Sequence, residues 1–259
     1  MQVLYVNNSY VDEEIILRKH GVKTARIEYP SIGTNTIDYD TIIRGPKMNK
    51  QQYIKLLKDL EIDNILVTPE QYGIAADAIL YSQCFGKYSP KVLSFDIDEP
   101  KENIKKKLKG VKLPLFVRSN VESAAKYVGV EACILRDLDK LEDVLKPIYD
   151  HIRNAETIIM KEVVPLKKIN NKTVEYRAIV INDTLVCFDY DSSCGLPDPK
   201  ELEWKPIIDA ASINGMHGAY FLDLGIDTSN RLFVVECKNL FNGTIKNVDS
   251  FAEGLQSIC

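Results

Sequence analysis

The sequence predicts an α/β fold in two parts: a small, mostly parallel βαβ unit, then a larger mixed unit with antiparallel hairpins. Three observations carry this. Residues 1–95 alternate short apolar runs with helical patterns, the rhythm of strands joined by covering helices. Residues 174–191 and 219–237 each read as two apolar strands folded back on a turn-forming run, Asn182-Asp183 and Asp227-Thr228-Ser229-Asn230. Between these regions the lysine-rich run Lys101–Lys112 shifts the composition and sets a boundary near residue 98.

In the first part, Val3–Val6, Thr24–Tyr29, Thr41–Arg44 and Asn64–Thr68 read as strands, and Glu13–His20 and Lys50–Leu60 as helices. Strand ends of such sheets border a ligand crevice, so Arg44-Gly45-Pro46 and Thr68-Pro69-Glu70-Gln71-Tyr72 are either substrate contacts or ordinary turns. The lysines of 101–112 read as a solvated face. In the second part, Leu113–Arg118 is a strand delivering Arg118 at its end, followed by the small-residue segment Ser119–Gly129 and a strand at Ala132–Leu135. Asp139 with Glu142 fits a capping box for a helix over Leu141–Arg153, in which Pro147 predicts a kink or break. Thr157–Val164 is a strand stopped by Pro165, and Ser192–Pro206 is a loop rich in proline around the only tryptophan, Trp204. Pro206 suits the first turn of a helix running to about Ile213, and Asn247–Gln256 closes the chain as a helix. His217, alone between glycines, is either a base or, as such a histidine more often is, structural or exposed.

Composition narrows the class of function. A chain of 259 residues with 45% hydrophobic and 27% charged residues is an ordinary globular sequence. Its net charge of −4 does not indicate nucleic acid or an anionic membrane as partner. The first ten residues lack the pattern of a signal peptide, and no apolar run is long enough to span a membrane. Six cysteines without CxxC spacing read as reduced thiols of a cytoplasmic protein and argue against zinc.

The C-terminal hairpin holds the informative pair. Asp223 and Glu236 stand thirteen positions apart, and an even-length loop centred between Ser229 and Asn230 makes them face each other. Alternation then puts Phe221, Asp223, Val234 and Glu236 on one face, with Leu222, Leu224, Phe233 and Val235 on the other. Facing acids repel, so they either share a cation, Mg²⁺ suiting oxygen ligands completed by phosphate, or both reach solvent at a sheet edge. In the preceding hairpin Glu175, Arg177, Ile179 and Ile181 share a face, the pattern of a lined cleft or of a half-exposed sheet.

From residue 113 the order of elements is strand ending in a base, small-residue loop, strand, amphipathic helix, strand ending in a hinge, hairpin, helix, carboxylate hairpin. That order, with Asp223, Glu236 and Asn239, resembles the ATP-grasp superfamily over roughly residues 95–245. The blocks FVRSNVESAAK, MKEVVPL, EYRAIVI and VVECKN look most like a compact phage and bacterial clade named for its arginine and lysine residues. The resemblance implies a pre-ATP-grasp domain over 1–97 and an ATP-grasp domain over 98–259, split into a small lid subdomain (98–163) and a metal/ATP subdomain (164–259).

It also implies roles residue by residue. Arg118 stands where the family usually has a phosphate-binding lysine, with Lys126 a second phosphate contact by a mobile loop that closes over ATP. Lys161 and Glu162 stand where the adenine amino group is read, and Val164 offers its backbone N–H to the ring. Glu175 matches the acid that holds the ribose, and Arg177 a base facing the triphosphate or acyl phosphate. Asp223, Glu236 and Asn239 match the Mg²⁺ ligands; Lys238 holds the usual spacing of the metal-site asparagine, so either side chain is a candidate there, Lys238 otherwise meeting phosphate. The implied function is an Mg·ATP-dependent ligase that phosphorylates a small-molecule or peptide carboxylate and passes the acyl group to an amine or thiol. The alternatives are phosphotransfer to a hydroxyl and nucleotide binding without turnover.

Overall fold

The computed structural model describes residues 1–7, 9–29, 40–62, 64–120, 123–189, 196 and 198–258. Val121 and Glu122 of the expected mobile loop, the end of the first hairpin at Tyr190 and Asp191, most of residues 192–197 and the cysteines 194 and 259 lie outside the described residues.

The N-terminal unit is β1 (Gln2–Val6), α1 (Val11–Lys19), β2 (Lys23–Ile27), β3 (Thr41–Arg44) and α2 (Lys50–Leu60). Its sheet, of order β2-β1-β3, is parallel throughout, and β1 is buried along its whole length. A strand at Asn64–Thr68 does not form: Ile65 makes one parallel bridge to Thr41, and the chain turns into helix. The reason is local. Thr68 accepts from the Gln71 N–H while the Gln71 side chain accepts from the Thr68 N–H, a reciprocal cap with Pro69 at the first position of α3 (Pro69–Ala76). Asp77 then caps α4 (Ala78–Phe85).

Next come β4 (Val92–Asp96), α5 (Lys101–Leu108), β5 (Leu115–Ser119), α6 (Ala125–Val128), β6 (Ile134–Leu135), α7 (Leu141–His151) and β7 (Thr157–Glu162). They build an antiparallel sheet of order β4-β7-β5-β6, with β4, a strand not expected from the sequence, at its edge. α7 is capped differently from expectation. Asp137, not Asp139, accepts a backbone N–H, and a 3₁₀ turn at Leu138–Lys140 leads into the helix. Pro147 does not break α7, because Leu141, Val144, Leu145 and Ile148 are all buried and tertiary packing outweighs one missing backbone bond. In α5, Lys106 and Lys107 are exposed and Lys101 and Lys105 half-buried over a buried Ile104 and Leu108, close to the expected solvated face.

The third unit is β8 (Lys168–Ile169), β9 (Lys172–Thr173), β10 (Glu175–Ile181), β11 (Thr184–Phe188), α8 (Lys205–Ile213), β12 (Ala219–Ile226), β13 (Leu232–Asn239) and α9 (Val248–Ile258). Its main sheet is antiparallel, β11-β10-β12-β13. Asn182 and Asp183 both take positive φ (46° and 61°), the two-residue turn whose twist suits a hairpin.

The faces of this sheet bury two cores. One joins Ile179, Ile181, Phe221, Phe241 and α9 to Leu4, Tyr53 and Leu56 of the N-terminal unit. The other packs Val180, Leu222, Leu224 and Val234 beneath α3, α4 and α8. Arg44, expected as a possible substrate contact, is fully buried at the first junction. It meets both Glu13 carboxylate oxygens at 2.8 Å, donates to the Leu240 and Gly243 carbonyls, and lies over the Tyr10 ring. Gly45 beside it allows the backbone to touch Phe241, since a Cβ there would lie 2.5 Å from the ring.

Candidate active site

Asp223 and Glu236 are register partners across β12 and β13. The route to that pairing is not an even loop. Near the turn Ile226 pairs with Leu232, Gly225 with Phe233 and Leu224 with Val234, a register in which Asp223 would miss Glu236 by one residue. A β-bulge between Asp223 and Leu224 absorbs Val235 on the partner strand and restores the facing pair. An inserted residue reverses the alternation beyond it, which corrects the expected faces. Val234 is fully buried with Leu222, Leu224 and Cys237, while Phe233, Val235 and Glu236 line a cavity.

That cavity, of about 270 Å³, lies between the two four-stranded sheets. The β4–β7 sheet contributes Phe116, Arg118, Ile134, Ile159 and Lys161, and the chain past β7 adds Val163, Val164 and Leu166. Tyr81 of α4 closes one side. The wall is largely apolar, with Arg118 and Lys161 beside Glu236 and with Glu162 paired instead to Lys112.

There the two acids meet three cations. Arg177 holds Asp223 with Nε at 2.6 Å and Nη2 at 2.9 Å, the two being partners across β10 and β12. Arg118, from the other sheet, reaches Glu236 Oε1 at 3.1 Å. Lys238 bridges both acids, 2.7 Å from Glu236 Oε2 and 3.3 Å from Asp223 Oδ2. Burial alone would raise the Asp223 carboxyl, but Arg177 and Lys238 outweigh it and hold the pKa below the ordinary value; Lys238 and Arg118 do the same for Glu236. Lys161 bonds the Val235 carbonyl, and burial pulls its ammonium down to about 8.

The other expected residues distribute unevenly. Glu162 and Val164 line the cavity, Val164 next to Val163, whose N–H bonds the Pro114 carbonyl. Glu175 is exposed, accepts from the Thr173 hydroxyl and does not line the cavity. Lys126 is exposed on α6, also outside the cavity wall. Asn239 stands apart from the other two expected metal ligands. It pairs with Tyr220, one step out of phase with Glu236 and Lys238, so it lies on the opposite face of β13, buried beside the Tyr72 hydroxyl. Expected metal ligation by Asp223, Glu236 and Asn239 therefore has only two of its three side chains on one face. Sequence reasoning passed over Tyr81, Phe116, Phe233 and Val235; the first belongs to an unexpected helix, and the last two needed the bulge.

Mg²⁺ does not fit this donor set. Every one of the four carboxylate oxygens has a cationic partner, and among the described residues no group of three or more His, Cys, Asp or Glu could hold a metal ion. A serine–histidine–acid set is also lacking at His217: it is exposed, and its Nδ1 faces both Asp183 (3.0 Å) and Ser212 (3.5 Å), whereas a triad uses opposite ring nitrogens.

No protein-family model matches the chain, and no curated protein matches it. Among solved structures, D-cycloserine synthetase DcsG superposes with a TM-score of 0.66 at 9% identity, covering 100% of this chain and 99% of that one. A RimK domain ATP-grasp protein from Sphaerobacter thermophilus gives 0.63 at 12% identity, covering 99% and 100%. D-alanine–D-alanine ligase from Bacillus anthracis gives 0.60 at 13%, covering 99% and 95%. The fold is that of ATP-grasp ligases.

Proposed function

We infer that this ATP-grasp fold works as an ATP-dependent carboxylate–amine (or carboxylate–thiol) ligase. The observation that carries the reading is the join of an apolar cavity to a cluster of cations at the seam of two sheets. Phe116, Ile159, Val164, Phe233 and Val235 offer a slot for a flat purine, with Glu162 and the Val164 backbone at its edge to read the ring's polar atoms. Arg118, Arg177 and Lys238 then face the phosphates. The compact clade named for its arginine and lysine residues is the proposed home within the superfamily, on the blocks around Arg118, Lys161, Arg177 and Lys238.

In the proposed reaction a substrate carboxylate oxygen attacks the γ-phosphorus, and the bond from that phosphorus to the β–γ bridging oxygen breaks, releasing ADP. An amine nitrogen then attacks the acyl carbon. The acyl C–O bond breaks, and phosphate departs carrying the amine's surplus proton. Phosphoryl transfer needs in-line positioning and neutralised charge rather than a protein nucleophile. Arg177 and Arg118 supply both, each held in place by a carboxylate partner. The apolar walls limit water, which would hydrolyse the acyl phosphate.

The test is a nucleotide melt followed by product analysis. ADP at about a hundred times its dissociation constant should stabilise the protein by about 2.7 kcal/mol. With a matched carboxylate and amine, ADP and free phosphate should appear together. Phosphate retained on a product would redirect the reading to a kinase, and a melt shift without turnover to a binder. No shift with ADP or ATP overturns it.

A further inference from the structure

Lys238 places a single cation between both facing acids. Its ammonium lies 2.7 Å from Glu236 and 3.3 Å from Asp223, while the outer oxygens belong to Arg118 and Arg177. Lys238 shares a face with Glu236 because they are two apart in β13, whereas the oxygen donor Asn239 is turned to the other face. Counting Lys161 and the buried Asp189 behind Arg177, four positive charges face three negative ones, so the cluster is net positive. A free divalent cation is repelled from such a site; a polyphosphate is drawn to it.

We propose that the Lys238 ammonium serves as a built-in substitute for a divalent ion, so that this chain binds nucleoside polyphosphates without requiring Mg²⁺. This rests on the nucleotide reading above and sharpens it. A lysine is tethered and singly charged, so it contributes charge and a hydrogen bond to phosphate but no open coordination shell. Removing it frees Glu236 Oε2 and leaves Asp223 Oδ2 only its Arg177 bond, which returns the facing acids toward a cation-seeking pair.

The experiment is calorimetric titration of ADP into wild type and Lys238→Asn, each in excess EDTA and in excess Mg²⁺, with circular dichroism to check folding. Wild type should bind ADP in EDTA within about threefold of its affinity in Mg²⁺. Lys238→Asn should lose tenfold or more in EDTA and recover most of it in Mg²⁺. Wild-type binding that tightens tenfold or more on adding Mg²⁺ overturns the proposal and leaves the nucleotide reading standing. Binding in neither condition sinks the nucleotide reading, and this inference with it. If Lys238→Asn fails to fold, the wild-type comparison decides alone.

Discussion

Arg44 and Arg177 each grip a carboxylate with two nitrogens, yet they sit in opposite settings. Arg44 is 0% exposed, and its remaining N–H groups reach the Leu240 and Gly243 carbonyls, so its donors are spent inside the protein. Arg177 keeps 24% of its side chain exposed, and its partner Asp223 already has a second cation in Lys238. The first pair is closed and charge-balanced; the second is open and carries surplus positive charge beside a cavity. The same chemistry serves as a rivet where charge is matched in the dry interior and, on the proposed reading, as a receptor where charge is left over at the surface of a cleft.

The largest test of that contrast is Arg44→Met, which strands Glu13 in the interior. It should cost about 3–5 kcal/mol in urea denaturation, as removal of one partner of a buried pair does. Arg177→Met should cost about 1 kcal/mol or less, since that pair is partly solvated. Equal losses would erase the distinction. Arg177→Met should instead show its effect in turnover, lowering kcat about 10²–10³-fold, the size seen when one preorganised charge donor is removed. A variant that keeps its stability and its full rate would remove Arg177 from the site.

Two smaller effects sharpen the comparison. Gly45→Ala pushes a methyl group into Phe241 at the rivet and should destabilise by about 1–3 kcal/mol without altering ADP affinity. At the receptor, Lys161 loses its proton near pH 8 because of burial. Its folded pKa lies below the ordinary lysine value of about 10.4, so from about 8 to 10.4 the unfolded chain binds more protons. This lysine therefore makes the fold gain stability as pH rises through that window. ADP affinity should move the other way, weakening as pH climbs past about 8, and Lys161→Met should flatten both profiles in paired melts and titrations.

How far the site was legible follows from which forces act locally. Asp223 and Glu236 were legible as a facing pair because turn residues and apolar alternation lie within one short stretch. The bulge at Val235 was not, because it leaves no mark in an unbroken run of apolar residues. The phase of Asn239 was readable, since the period of two already separates it from Glu236. Thr68 and Gln71 carried a helix-start signal that a short apolar run masked as a strand. Arg44 misled because a base at a strand end looks the same in sequence whether a ligand or Glu13 awaits it.

Hydrophobic periodicity, capping chemistry and turn residues, all acting over a few positions, determined most of the strands, most of the helices and both long hairpins of this protein. Tertiary structure alone decided that Arg118 meets Glu236 across 118 positions and that Arg44 is spent on Glu13, Leu240 and Gly243. Such meetings depend on how whole sheets seat on shared cores and on a one-residue slip in register. Long-range packing settles those, and no short stretch of chain encodes them.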